Sequence, residues 1–135
     1  RRVNDSMGQY VASEIIKLMV QNDIRIKSAK ILNLGITFKE NCPDVRNTKA
    51  VDVINQLKSY GTEITIFDPW ANPEEVMHEY SLHTTKKQPE ETFDAIVLTV
   101  AHNEFLNINL KALLKPNGIL YDVKGVLKEH VNGRL

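Results

Sequence analysis

Six consecutive residues, Ala95-Ile96-Val97-Leu98-Thr99-Val100, contain a single polar side chain. A run this short is strand-like in length, and its near-continuous apolar character means that both of its faces must be covered. That excludes a sheet with one wet face. It favours a parallel sheet between layers, because parallel strands need crossover connections that lie on the sheet.

The rest of the chain supplies those crossovers. Residues 3 to about 22 predict one long helix, with Val3, Met7, Tyr10, Val11, Ile15, Leu18 and Met19 at helical spacing and Asp5-Ser6 near its start. Ile31–Ile36 reads as a buried strand. Asn47–Tyr60 is helical again and stops at Gly61. Glu63–Phe67 is a strand ended by Asp68-Pro69. Asn72-Pro73-Glu74-Glu75 opens a short helix with Asn72 as its cap. Residues 84–92 read as loop with a helical turn, Leu110–Leu114 as a short helix stopped by Lys115–Gly118, and Ile119–Val123 as a last strand. The expectation is a Rossmann-like α/β parallel sheet with helices on both faces, preceded by one long helix. The helix passes into the sheet domain around Arg25–Ala29, giving segments 1–26 and 27–135.

Composition narrows the partners. Lys plus Arg and Asp plus Glu each number 17, so no net charge points to nucleic acid or a membrane surface. No run approaches the roughly 20 apolar residues of a membrane span. Cys42 is the one cysteine, which excludes an internal disulfide and suits a reducing, cytoplasmic setting. The chain begins Arg1-Arg2-Val3, without methionine, as a segment of a larger protein would.

In an open α/β sheet, ligands bind beyond the carboxyl ends of the strands. The loop after the first strand, Gly35–Thr48, brings Phe38, Lys39 and Arg46 close to a helix start. Lys39 and Arg46 could pair with phosphate oxygens and Phe38 could pack on a base. A solvated loop with two surface charges is the alternative, and composition does not choose between them. The dinucleotide fingerprint G-x-G-x-x-G is missing at this turn, where Gly35 stands alone, so Asp68 reads as a cap or turn residue rather than a ribose ligand. Cys42 has a proline beside it and no local histidine, and reads as a loop cysteine. His102-Asn103-Glu104 has the H-x-E of zinc deaminases without the P-C-x-x-C that should follow. His102 does follow the strongest strand, near the ligand edge, where a secondary binding role is open to it. His78, His83 and His130 lack metal-ligand spacing.

Several of these segments together resemble the UDP-glucose/GDP-mannose dehydrogenase family. Gly35-Ile36-Thr37-Phe38-Lys39 and Asp44-Val45-Arg46-Asn47-Thr48 are similar to its G-x-[AT]-F-K and D-x-R-x-[ST] segments. Phe67-Asp68-Pro69 resembles its [YF]-D-P, Tyr121-Asp122-Val123-Lys124 its D-x-[RK], and Arg1–Asp5 with Met7 the end of its central helical region. Asp68-Pro69-Trp70 is most like the branch that oxidises UDP-N-acetylhexosamines for surface polysaccharides.

The resemblance implies a C-terminal UDP-binding domain of an NAD-dependent enzyme. Such enzymes oxidise the C6 alcohol of a UDP-sugar to the uronic acid through a cysteine nucleophile. Their Rossmann domain binds NAD, and their central region makes a homodimer. By motif, Phe38, Lys39 and Lys124 would meet the nucleotide sugar and Arg46 would reach toward the cofactor. Gly125 stands where many relatives carry a second basic residue. Neither the cofactor fingerprint nor the glycine-flanked catalytic cysteine is present, so this chain is expected to bind and not to catalyse alone. A stand-alone nucleotide-binding module without catalysis is the competing reading. A response-regulator-like domain would need an acidic cluster that Asp68 and Asp122 do not make.

Overall fold

The computed structural model describes residues 2–135, with side chains from Met7 onward. Val3, Asp5 and Ser6, read above as part of the first helix's face and start, lie outside the described side chains, as do those of the Arg1–Asp5 resemblance.

The elements follow the expected alternation: α1 (Arg2–Gln21), β1 (Lys30–Leu34), α2 (Ala50–Ser59), β2 (Glu63–Phe67), α3 (Pro73–Tyr80), β3 (Phe93–Leu98), β4 (Leu114–Asp122) and β5 (Gly133–Arg134). The strands form a parallel sheet in the order β2-β1-β3-β4-β5. The chain leaves β1 toward one neighbour, β2, and returns on its other side as β3. The ends of β1 and β3 are therefore a topological switch point.

Strand alternation sorts the core into faces. Ile31, Ala95, Val97, Ile119 and Tyr121 pack under α1 and α2, against Val11, Ala12, Ile15, Met19, Val53 and Leu57. Leu32, Leu34, Ile96, Leu98 and Leu120 face the other way. The second face is covered by two 3-10 turns, Asn103–Asn107 and Leu110–Leu113, and by Leu127, rather than by long helices. α3 closes a smaller cluster beside β2, where Val76 meets Ile36, Ile54 and Ile66.

The apolar stripe of α1 is longer than a terminal helix usually shows to water. α2 and the sheet supply its cover: Val11, Ala12, Ile15 and Met19 have no exposed surface. Side chains the size of Ile15 and Met19 each contribute about 1.5–3 kcal/mol on leaving water. Gly8 lets α1 cross α2 closely, since a Cβ there would lie 2.7 Å from Asp52 Cβ. Met7, Tyr10 and Val20 remain exposed.

Two local expectations are corrected. β4 does not begin after Lys115–Gly118 but runs through it; between the pairs Phe93↔Leu114 and Ala95↔Ile119 the register shifts. Pro116 sits in that irregularity, where its missing N–H breaks no ladder bond. Residues 84–92 hold no helical turn; instead Thr85 forms a parallel bridge to Phe67. β5 and the turn Asn103–Asn107 were not legible. Among the described residues, no helix is long and apolar enough to cross a membrane.

Candidate functional site

At the switch point, β1 ends in a turn that only glycine fits. Gly35 has φ +99°, and a Cβ on it would lie 2.5 Å from Val100 Cβ. Its N–H donates to Phe67 O at 3.0 Å, tying the end of β1 to β2. Buried Asn33 donates through Nδ2 to Gly35 O at 2.8 Å and Thr99 Oγ1 at 3.1 Å, tying it to β3. The Thr99 hydroxyl lies 2.8 Å from Gly35 O and 3.0 Å from Leu34 O and donates to one at a time.

Asp68, at the end of β2, is fully buried and saturated with donors. Oδ2 accepts from Ile36 N–H at 2.7 Å and Thr37 N–H at 3.2 Å, and Oδ1 accepts from Trp70 N–H at 2.8 Å and Ala71 N–H at 3.1 Å. Asp68 is the turn residue expected from the missing glycine triplet. The remaining partner of Oδ2 is His102 Nε2, at 3.0 Å. Burial by itself pushes the Asp68 carboxyl up. The His102 bond and the backbone N–H groups outweigh it and hold the group below its ordinary value.

The network fixes the tautomer of His102. Asn41 N–H donates to Nδ1 at 2.9 Å, so Nδ1 carries no proton. The proton is on Nε2, facing Asp68 Oδ2, with Thr37 Oγ1 at 3.1 Å. The ring has no exposed surface and stacks on Trp70, centroids 6.0 Å apart. Trp70 Nε1 in turn donates to Glu104 at 2.9 Å. Both nitrogens of His102 are thus committed within the protein, which rules out the secondary ligand-binding role considered for it.

The loop after β1 is internally braced. Phe38 N–H donates to Asp44 O at 2.7 Å, and the Thr48 hydroxyl donates to Thr37 O at 3.2 Å. Phe38 is 53% exposed. Arg46 is clamped to Asp44, Nε to Oδ1 at 3.0 Å and Nη2 to Oδ2 at 3.1 Å. This contact lowers the Asp44 pKa and raises that of Arg46.

The last strand ends in a similar anchor. Buried Asp122 accepts from the N–H groups of Lys124 (3.0 Å), Gly125 (2.8 Å) and Leu127 (2.8 Å). Gly125 has φ +70° with nothing within 4 Å of a Cβ, so conformation and not space favours glycine there.

These anchors bring two of the four expected residues together. Phe38 and Lys124 line one cleft of ≈ 360 Å³ with Thr37, Thr48, Thr99 and Val100, and α1 closes it through Met7, Gly8 and Val11. The first turn of α2 lies at its edge. Lys39 is exposed and stands beside the cleft in sequence without lining it. Arg46 lies in a separate groove, with Cys42, Glu75 and Glu79. Sequence reasoning missed the parts played by Asn33, Thr37, Thr99 and His102. The only signal for His102 was its place directly after the strongest strand.

A buried-acid turn at the end of β2, a glycine turn under β3 and a cleft at the switch point are shared by many α/β proteins. What decides between them is a family profile: the UDP-binding domain of the UDP-glucose/GDP-mannose dehydrogenase family matches residues 32–129. The chain belongs to that family.

Its relatives within the dehydrogenase family fit the branch expected from the motifs. Over 132 residues it is 44% identical to the UDP-N-acetyl-D-glucosamine 6-dehydrogenase of Pseudomonas aeruginosa, covering 96% of this chain and 31% of that protein. Over 130 residues it is 41% identical to the enzyme of the same name from Salmonella typhi, covering 94% and 31%. The chain thus spans about a third of the length of these relatives. Its fold superposes on a UDP-D-ManNAc dehydrogenase from Pyrococcus horikoshii with a TM-score of 0.79, at 22% identity, over 99% of this chain and 31% of that one.

Proposed function

We propose that this chain is the C-terminal, nucleotide-sugar-binding part of an NAD-dependent UDP-sugar 6-dehydrogenase, acting on a UDP-N-acetylhexosamine in the cytoplasm. One observation carries the reading. Phe38 and Lys124 come from loops far apart in sequence and line the same cleft at the switch point of the sheet. An aromatic face and a cation in one cleft suit a base and a diphosphate. The start of α2 adds a partial positive charge to the same edge. Lys39, exposed next to Phe38, reaches phosphate or sugar beyond the cleft.

Segment 1–26 is the end of a central helical region that makes the homodimer, and 27–135 is the UDP-sugar domain. The exposed Met7, Tyr10 and Val20 of α1 suit contact with further protein. NAD is held mainly by a Rossmann domain outside this chain. The β1–α2 turn here has Gly35 in place of a glycine triplet, and the Asp68 carboxylate is taken up by its five donors. By motif, Arg46 is the residue of this chain that reaches toward the cofactor, exchanging Asp44 for a phosphate. Bound NAD supplies the hydride acceptor, and this chain contributes binding and orientation of the nucleotide end.

Calorimetric titration of the chain with UDP, UDP-N-acetylglucosamine, GDP and NAD tests this. UDP and the UDP-sugar should bind, and GDP and NAD should bind more weakly or not at all. No heat with UDP would sink the reading. The chain alone should form no NADH from NAD and UDP-sugar.

A further inference from the structure

We propose that His102 is the positioning residue of the nucleotide cleft: one neutral imidazole pins both ends of the Thr37–Asn41 loop and so sets where Phe38 and Lys39 stand. The inference rests on the reading of the cleft as a UDP site.

The geometry is specific. Thr37 Oγ1 lies 3.1 Å from Nε2, and Asn41 N–H donates to Nδ1 at 2.9 Å. The two contacts bracket Phe38, Lys39 and Glu40, whose side chains are all exposed. Asn41 has φ +56°, a left-handed conformation that asparagine tolerates better than most residues and that two contacts fix here. Its holders are His102 through the N–H and Asn103, whose N–H donates to Asn41 Oδ1 at 3.0 Å. Both come from the segment that follows β3. Asp68 keeps the proton on Nε2 and so leaves Nδ1 free to accept. The imidazole has no atom left for a ligand. It acts on the nucleotide only through the loop.

The experiment uses the whole chain. A long-range proton–nitrogen spectrum of the His102 ring at neutral pH should show Nε2 protonated and Nδ1 bare. A ring protonated on Nδ1 overturns the proposal without any variant. His102→Gln can still donate to Asp68 but has no group at the Nδ1 position. Amide exchange at Phe38 and Asn41 should then quicken while Ile31–Leu34 and Ala95–Leu98 stay protected, and UDP affinity should fall about 3- to 10-fold. Unchanged exchange in the loop, or a loosened loop with unchanged UDP affinity, also overturns it. If the wild-type chain binds no UDP, the nucleotide reading falls by itself; tautomer and exchange still decide whether His102 sets the loop.

Discussion

Gly35 passes under Val100 with no room for a methyl group: a Cβ would come within 2.5 Å of Val100 Cβ, and φ is +99°. Two penalties coincide in Gly35→Ala, a steric overlap and a disfavoured backbone conformation. The substitution should cost about 2–4 kcal/mol in chemical denaturation. It should also move the loop that begins there. A variant as stable as the parent would mean that β1 and β3 can part at the switch point at no cost.

Lining the cleft and standing outside it should give different phenotypes. Phe38→Ala and Lys124→Ala should each weaken UDP binding about tenfold. Lys39→Ala should weaken a UDP-sugar by a similar factor, as a charged contact to the diphosphate or sugar. Arg46→Ala should leave UDP affinity unchanged, because its guanidinium is held by Asp44 in another groove. Titrations of the four variants separate these outcomes. A large loss of UDP affinity in Arg46→Ala would place the nucleotide in the wrong groove.

Acid should weaken the fold in part through Asp68. Its folded pKa is depressed, so the stability it contributes is complete above the unfolded carboxylate value near pH ~4 and is lost as pH falls through the folded value. Asp68→Asn should therefore cost about 1–3 kcal/mol at neutral pH. The gap between variant and parent should narrow below pH ~4. Denaturant midpoints measured across that range check it; a gap independent of pH would exclude the carboxylate charge as the source.

Alkali should act on Tyr121. Burial, with Glu14 and Tyr10 adding to it, pushes its phenol up to about 12. The folded state resists ionisation of this group, so the contribution is whole below the unfolded value of ~10 and disappears as pH rises toward the folded value. Tyr121→Phe should remove about 2–3 kcal/mol of the alkaline loss of stability between those limits. An alkaline limb identical in variant and parent would assign the loss to other groups.

The elements that were legible owe little to the rest of the molecule. Asn72 caps α3 by accepting from Glu74 N–H at 2.8 Å, and β2 ends at Phe67 before Asp68-Pro69 as local chemistry dictates. What was illegible depends on pairing. Lys115–Gly118 looks like a helix stop, and becomes a bulged part of β4 because Leu114 on one side of it and Ile119 on the other both pair with β3. The apolar runs at Ile31–Ile36 and Ala95–Val100 each overshoot the end of their strand by two residues, since the chain turns at Gly35 and Thr99 to bind across the gap. For the site, Phe38 and Lys124 could be named from motifs. The partnership of Asp68 with His102 could not, because it exists only once β1 lies between β2 and β3.

Trp70 is the sole tryptophan among 135 residues, and its ring stacks on His102 at the meeting place of three loops. The unlabelled chain therefore carries one indole fluorophore, where the end of the second strand, the loop after β1 and the segment after β3 meet. Excitation in the red tail of the protein's absorption samples this position alone. A shift in emission on adding a ligand is then a local signal, free of averaging over distant indoles, and stopped-flow mixing can time the loop's response without any attached dye.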